Sequence, residues 1–167
     1  NAVEILNKAI TENGRATWVL AGGTSPMAAY KELIKYYSGE VDWSKVIVII
    51  GDERFVAHTD KDSNWGTIMS LLEAAPAFAR MQKMTPEILS TVEATARAYD
   101  EKVRAMQAKR FDLMWIGVGE DGHTLSLFPN NPAFTDNTEE WVVPVYGAPK
   151  APSQRVSFSL KALEHIV

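Results

Sequence analysis

The sequence predicts an α/β fold: a doubly wound, mostly parallel sheet with helices on both faces, of the Rossmann-like type. Segments with strand character alternate with segments of helical periodicity, which is the pattern of a parallel sheet. The run Val46–Ile50 is entirely β-branched, as expected for a strand that is covered on both faces. Glycine-containing loops follow several strand candidates, and such loops line the ligand crevice of open α/β sheets.

Apolar runs define the predicted strands, and apolar residues at helical spacing define the predicted helices. The first strand candidate ends in two glycines, after which Pro26 suits the first position of a helix. The strongest helical pattern begins near Thr91, where apolar residues recur at intervals of three or four. We predict strands at residues 17–21, 46–50, 80–84, 111–118, 141–146 and 155–160, and helices at residues 26–37, 63–72 and 91–108.

The composition is that of an ordinary globular protein. The 167 residues are enough for a sizeable core, and 46% of them are hydrophobic. The net charge of −4 gives no basic footprint, so we expect no nucleic-acid partner, and no apolar stretch is long enough to predict a membrane span. The absence of cysteine excludes disulfides, thiol catalysis and thiolate metal sites, and it is compatible with a cytoplasmic enzyme.

Both ends of the sequence lie inside helical patterns, and the first residue is not a Met. We therefore expect residues 1–167 to form a single α/β domain that is truncated at both ends. The sequence predicts no oligomeric state, and a monomer is compatible with it.

A loop with two glycines and a histidine follows the predicted strand 111–118 and reads Gly-Glu-Asp-Gly-His at residues 119–123. In an open α/β sheet, the loop at the carboxyl end of a strand borders the ligand crevice. Histidine exchanges protons near neutral pH, so His123 is a candidate catalytic base. Asp121 is able to orient the imidazole, to bind a ligand hydroxyl or to cap the turn.

The first strand candidate is followed by Gly22-Gly23-Thr24-Ser25, which is a candidate binding loop. The two glycines permit a tight turn and a close approach of the backbone. Thr24 or Ser25 is able to cap the following helix, whose free amides favour a phosphate; an ordinary capped turn is an equally good interpretation. The spacing matches neither the dinucleotide fingerprint nor a P-loop, which argues against NAD or ATP.

The second strand candidate ends in Gly51-Asp52-Glu53-Arg54, at the same predicted edge of the sheet. Arg54 has the planar guanidinium that binds phosphate through two parallel hydrogen bonds. Asp52 and Glu53 are candidates to orient Arg54 or to bind hydroxyls, and a solvated charge cluster is the alternative interpretation.

Two other kinds of catalytic site are not predicted. His58, Asp60 and Asp62 have a spacing that suits a metal, but no further His or Cys accompanies them, so we expect no metal site. No Ser lies in a nucleophile-elbow motif, which disfavours a Ser-His-Asp mechanism.

Residues 117–129 read Gly-Val-Gly-Glu-Asp-Gly-His-Thr-Leu-Ser-Leu-Phe-Pro and resemble the signature of the 6-phosphogluconolactonases. Four other segments resemble that family in the same order along the chain: residues 21–26, 51–56, 62–66 and 152–157. In the third of these the family more often has Tyr where this chain has Trp65. The resemblance therefore covers nearly the whole chain.

The resemblance implies hydrolysis of 6-phosphoglucono-1,5-lactone to 6-phosphogluconate in the oxidative pentose phosphate pathway, on the fold shared with the glucosamine-6-phosphate deaminases. It implies His123 as a general base beside Asp121, a phosphosugar lactone as the partner and no cofactor. The phosphate-binding and substrate-binding residues that it implies are Gly22, Gly23, Thr24, Ser25, Asp52, Arg54, Asn64 and Arg155. For Arg155, a salt bridge at the rim of the site is the alternative interpretation.

Two other functions stay open on the sequence. The glucosamine-6-phosphate deaminases share the Asp-Gly-His core but usually continue towards Asn-Glu-Pro, whereas this chain has Ser-Leu-Phe-Pro at residues 126–129. A non-catalytic sugar-phosphate sensor needs the phosphate site but no base, and it usually carries a DNA-binding domain. His123 and the absence of a helix-turn-helix segment count against a sensor.

Overall fold

Seven helices and seven strands occur in the residues that the computed structural model describes, which are 1–106, 110–135 and 138–166. The helices are α1 (Ala2–Asn13), α2 (Ser25–Tyr37), α3 (Asn64–Leu72), α4 (Pro76–Ala79), α5 (Val92–Arg104), α6 (Pro132–Thr135) and α7 (Leu160–Leu163). The strands are β1 (Ala16–Leu20), β2 (Val46–Ile50), β3 (Asp52–Arg54), β4 (Gln82–Met84), β5 (Leu113–Met114), β6 (Val142–Val145) and β7 (Arg155–Phe158).

A parallel sheet of four strands in the order β4-β2-β1-β5 forms the centre of the structure. β1 pairs with β2 over its whole length, and on its other side Trp18 lies opposite Leu113 of β5. The chain adds β2 and β4 on one side of β1 and then crosses to the other side for β5. The strand order therefore reverses between β1 and β5, and the predicted doubly wound α/β fold is confirmed.

A second sheet, which the sequence did not predict, is antiparallel and has the order β3-β7-β6. Gly51 joins β2 directly to β3, so the second strand of the parallel sheet continues into this small sheet. A Cβ on Gly51 would lie 2.9 Å from the Leu125 side chain, which shows how closely the loop after β5 packs on this junction.

The core beside β1 is aromatic. Trp18 is fully buried and contacts the rings of Tyr30, Trp43 and Trp115, with centroid distances of 5.7, 6.3 and 5.0 Å. The Tyr30 hydroxyl also accepts a hydrogen bond from the Ala21 amide and donates one to the Ala21 carbonyl, both at 3.0 Å. These contacts fix the end of β1 to α2 and so fix the start of the loop that follows.

The predicted buried strand at residues 111–118 is wrong in its second half. Only Leu113 and Met114 pair with β1 as a strand, while Val118 is 80% exposed. The Trp115 amide still donates to the Val19 carbonyl. Because β1 ends at Leu20, the residues after Trp115 have no further residues of β1 to pair with. Sequence periodicity does not register this loss of a neighbouring strand.

The helix predicted at residues 91–108 ends at Arg104 in the structure, and residues 107 and 108 lie outside the described ranges. The other predicted elements occur, with ends that differ by at most two residues. Within the described ranges, no helix is long and apolar enough to cross a bilayer.

Candidate active site

The loops after β1 and β5 are neighbours, because these two strands are paired in the sheet. They lie where the strand order reverses, and in open α/β sheets ligands bind in the crevice outside the carboxyl ends of the strands at this point. The predicted glycine loop (residues 22–25) follows β1, and the predicted loop of His123 (residues 119–123) follows β5. We call residues 119–127 the His123 loop. The topology thus brings the two main candidate segments to one edge of the sheet.

The glycine loop makes a close turn against α3. Gly23 has a φ of +86°, and a Cβ on Gly22 would lie 2.2 Å from the side chain of Asn64. Glycine at both positions is therefore required, by backbone conformation at one and by lack of space at the other. The Asn64 side chain in turn donates to the main-chain carbonyl of Asp52 at 3.1 Å.

Neither Thr24 nor Ser25 caps α2 in the way that the sequence suggested. Thr24 occupies the N-cap position with helical backbone angles, and its side chain makes no capping hydrogen bond. Ser25 is the first residue of the helix, and Pro26, which has no amide hydrogen, follows it. The exposed amides at this end of α2 remain without a side-chain cap, which suits an anion at a helix amino terminus.

Arg54 lies across a cavity of about 220 Å³ from the glycine loop, and we call this cavity the arginine pocket. Its lining includes five residues that the sequence implicated, which are Gly22, Gly23, Thr24, Arg54 and Asn64. Residues that the sequence did not implicate also line it, among them Lys61 and Asp62. One guanidinium nitrogen of Arg54 donates to the Asp62 carbonyl at 2.9 Å, and its Nε is buried without a hydrogen-bond partner among the described residues. A buried donor of this kind is suited to an anionic ligand.

Arg155 lies opposite Arg54 in the antiparallel pair of β3 and β7. It is 5% exposed and donates to the carbonyls of Pro152 and Lys150, at 3.0 and 2.8 Å. Burial lowers the pKa of Arg155, and the neighbouring charge of Arg54 lowers it further. In the described part of the chain, neither arginine forms a salt bridge with a carboxylate, so the rim salt bridge considered for Arg155 is not formed.

Glu53 holds the beginning of α3 rather than facing the arginine pocket. Its carboxylate is 1% exposed and accepts four hydrogen bonds of 2.7–2.9 Å, from the amides of Arg54, Asn64 and Trp65 and the hydroxyl of Ser63. Burial raises the pKa of Glu53, and the four hydrogen bonds oppose that rise. The carboxylate thereby fixes two residues of the arginine pocket, Arg54 and Asn64, relative to each other.

The His123 loop holds its imidazole through Asp121. The Nδ1 atom of His123 and the Oδ1 atom of Asp121 are in a short hydrogen bond, and this contact lowers the pKa of the Asp121 carboxyl. Gly119 is required beneath the ring, because a Cβ there would lie 2.2 Å from the imidazole. The same Oδ1 atom also accepts a hydrogen bond from the His123 amide at 3.3 Å, so the contacts of Asp121 fit both the orientation of the imidazole and the capping of the turn, while Nε2 makes no hydrogen bond within the described residues.

Phe128 connects the imidazole to the arginine pair, and the sequence analysis did not single it out. Its ring centroid lies 4.7 Å from that of His123, and the guanidinium carbon of Arg155 lies 5.5 Å from the same ring. A cation over an aromatic face is attracted by the ring quadrupole, so Phe128 holds Arg155 near His123. The one signal in the sequence was its place at the end of the His123-containing motif.

Asp52 lies beside the site, but its carboxylate does not line the arginine pocket. Its Oδ2 accepts a 2.7 Å hydrogen bond from the hydroxyl of Ser126, which is completely buried. Asp52 is itself 7% exposed. This hydrogen bond joins β3, the strand that carries both Asp52 and Arg54, to the loop of His123.

A larger cavity, of about 740 Å³, lies elsewhere, between α5 and β6. It contains none of the residues that the sequence implicated, and we do not assign the chemistry to it. At the His58-Asp60-Asp62 segment, the Asp60 carboxylate accepts a hydrogen bond from the Asp62 amide at 2.9 Å. No group of three potential metal ligands occurs in the described residues.

Comparison with known proteins identifies the family of the chain. The family model for glucosamine-6-phosphate isomerases/6-phosphogluconolactonase matches residues 1–165. A probable 6-phosphogluconolactonase of Drosophila melanogaster is 32% identical over 154 residues, which are 92% of this chain and 62% of that protein. The 6-phosphogluconolactonase of Pseudomonas aeruginosa is 34% identical over 157 residues, 91% of this chain and 63% of that protein.

Solved structures show the same fold. The crystal structure of a 6-phosphogluconolactonase from Shewanella baltica superposes with a TM-score of 0.87 at 26% identity, covering 99% of this chain and 70% of that one. The 6-phosphogluconolactonase of Thermotoga maritima gives a TM-score of 0.80 at 26% identity, covering 97% of this chain and 73% of that one. The chain spans slightly less than two thirds of the two curated relatives described above. The match over residues 1–165 shows that the chain belongs to the glucosamine-6-phosphate isomerase/6-phosphogluconolactonase family.

Proposed function

We propose that the protein hydrolyses 6-phosphoglucono-1,5-lactone to 6-phosphogluconate, with His123 as the general base. The observation that carries this proposal is the orientation of His123, whose Nδ1 is held by Asp121 while its Nε2 makes no hydrogen bond within the described residues. A carboxylate that accepts a hydrogen bond from Nδ1–H fixes the tautomer in which Nε2 is the proton acceptor. The curated relatives named 6-phosphogluconolactonase support the choice of reaction.

The arginine pocket is the proposed site of the substrate phosphate. The guanidinium of Arg54, the ammonium of Lys61 and the uncapped amides of the glycine loop all border this cavity. Arg155 adds a second guanidinium from the opposite strand. Binding the phosphate at a distance from the reacting carbon positions the lactone carbonyl, so that binding energy is used to orient the reaction.

The proposed reaction needs only water as a second reactant. Nε2 of His123 takes one proton from water while the water oxygen forms a bond to the lactone carbonyl carbon. The tetrahedral intermediate then breaks its bond to the ring oxygen, which receives the proton from the imidazolium as it leaves. The product is an open-chain acid, which releases a proton at neutral pH, and His123 returns to its neutral form.

A direct assay of lactone hydrolysis tests the proposed function. Freshly generated 6-phosphogluconolactone is followed by acid release in weakly buffered solution, with and without the protein, because the lactone also hydrolyses spontaneously. Acceleration that is proportional to protein concentration supports the lactonase. If the protein released ammonia from glucosamine 6-phosphate and did not accelerate lactone hydrolysis, it would be a deaminase and not a lactonase. Binding of 6-phosphogluconate without any turnover would indicate a sensor.

A further inference from the structure

The side chain of Ser126 joins the His123 loop to the strand that carries Arg54. Its hydroxyl donates to Oδ2 of Asp52 at 2.7 Å, and its amide donates to the hydroxyl of Ser157 at 3.2 Å. Ser126, Asp52 and Ser157 are at most 7% exposed, so water does not compete for these hydrogen bonds. Ser126 makes no contact with the arginine pocket and is not part of the proposed proton transfer.

The loop between His123 and Ser126 is short and held at both ends. The Gly119 amide donates to the His123 carbonyl at 2.8 Å, and the amide of Leu127 donates to the carbonyl of Thr124 at 2.8 Å. Leu125 lies inside the second of these turns with a φ of +54°, a conformation that is unfavourable for a leucine. Because the surroundings must hold such a residue in place, the loop depends on its anchors.

The register of β3 connects that anchor to the arginine pocket. Asp52 and Arg54 are two residues apart in one strand, so their side chains leave the same face. The Asp52 carboxylate accepts the hydrogen bond from the Ser126 hydroxyl, while Arg54 borders the arginine pocket. Glu53 points to the opposite face and holds the start of α3. One strand of three residues therefore contacts both the loop of the base and the proposed phosphate site.

From this geometry we infer that Ser126 is a positioning residue, which sets His123 at a fixed place relative to the anchored phosphate through its hydrogen bond to Asp52. The inference rests on the proposed lactonase function. It predicts that loss of the hydroxyl displaces the base relative to the bound lactone, without removing the base or the anchor. A displacement of about 1 Å in such a site is able to reduce turnover by about 100-fold.

The test compares Ser126→Ala and Ser126→Cys with wild type on the phosphorylated lactone and on unphosphorylated glucono-1,5-lactone. We expect kcat for the phosphorylated lactone to fall by about 10–100-fold, with KM changed less than about threefold. The unphosphorylated lactone is not anchored, so its kcat/KM should fall less than about threefold. Ser126→Cys keeps the volume but has a weak donor, so it should resemble Ser126→Ala if the hydrogen bond is what matters.

Thr17→Val is the matched control. Thr17 is 2% exposed, and its hydroxyl donates to the carboxylate of Asp112 at 2.8 Å. It lies near the amino end of β1, whereas the loop of His123 lies at the carboxyl end of the parallel sheet. This variant loses the same kind of hydrogen bond and should lower the melting temperature, yet leave both kcat values within about twofold. Equal losses of kcat in Thr17→Val and Ser126→Ala would show a general effect of destabilisation and overturn the inference.

Amide hydrogen exchange separates this inference from the proposed function, because it needs no turnover. In Ser126→Ala, exchange of the amides in residues 119–127 should accelerate at least about tenfold, while exchange in β1 stays within about twofold. Unchanged exchange in the loop would overturn the positioning role even in an active enzyme. If exchange in the loop became faster but the protein did not hydrolyse the lactone, the role of Ser126 in holding the loop would be supported and the proposed function refuted.

Discussion

Arg54 and Arg155 are direct cross-strand partners in an antiparallel sheet, with like charges on neighbouring side chains. Like charges in this arrangement destabilise a sheet, and no carboxylate in the described residues forms a salt bridge with either of them. Such a pair becomes favourable when an anion binds between the two guanidinium groups. The pair is therefore consistent with a site for a phosphate.

The first prediction concerns this pair. Arg54→Ala should weaken binding of 6-phosphogluconate by about 10–150-fold, because one charge-assisted contact contributes about 1.5–3 kcal/mol. Arg54→Lys keeps the charge but loses the planar fork, so we expect a smaller loss. The measurement is calorimetric titration with the phosphorylated acid, with gluconate as the ligand that lacks the phosphate. If Arg54→Ala impaired hydrolysis of phosphorylated and unphosphorylated lactones equally, the phosphate assignment would be wrong.

The second prediction concerns the base. His123→Ala should lower kcat by about 10²–10⁴-fold and change the affinity for 6-phosphogluconate much less, because the imidazole acts on the water and not on the phosphate. His123→Asn keeps a hydrogen-bonding side chain but cannot accept the proton, so it should lose as much. Circular dichroism and the melting temperature check that both variants fold. Near-normal turnover in a folded variant would remove His123 from the mechanism.

The sequence predicted the edge of the sheet at which these residues meet, but not the contacts between them. The sequence reveals which residues follow the strands, because each of them comes after an apolar run. These residues are the glycines, Arg54 and His123. The cross-strand position of Arg155 was not, since it depends on the register of an antiparallel sheet that no periodicity indicated. The hydrogen bond between Asp52 and Ser126 could not be predicted either, because the two residues are 74 positions apart in the chain.

The third prediction concerns Asp121. The hydrogen bond to His123 lowers the pKa of the Asp121 carboxyl, so the carboxylate is ionised throughout the neutral and alkaline range. Asp121→Asn should therefore reduce kcat by a similar factor throughout the neutral and alkaline range. We expect about 10–100-fold, less than the ~10⁴-fold loss known for a buried Asp–His pair, because half of the Asp121 side chain is exposed.

The pH profile of the ratio between wild type and Asp121→Asn is the measurement for this prediction. The ratio should be constant above about pH 6 and should approach one only when the pH falls through the lowered pKa of Asp121, where the carboxylate takes up a proton. A ratio that changed between pH 7 and pH 9 would contradict a purely orienting carboxylate.

The last prediction concerns Gly22, which separates steric from conformational requirements for glycine. A Cβ at this position would lie 2.2 Å from the side chain of Asn64, so Gly22→Ala must push Asn64 away from the Asp52 carbonyl that it contacts. Overpacking of this kind costs about 1–3 kcal/mol of unfolding free energy. Because Gly22 and Asn64 both border the arginine pocket, the affinity for 6-phosphogluconate should also fall.

Gly39→Ala is the control, since a Cβ at Gly39 would have no heavy atom within 4 Å and its φ is not in the left-handed region. Urea denaturation and ligand titration of both variants check the prediction: a loss in Gly39→Ala as large as that in Gly22→Ala would show that the effect does not come from the contact with Asn64.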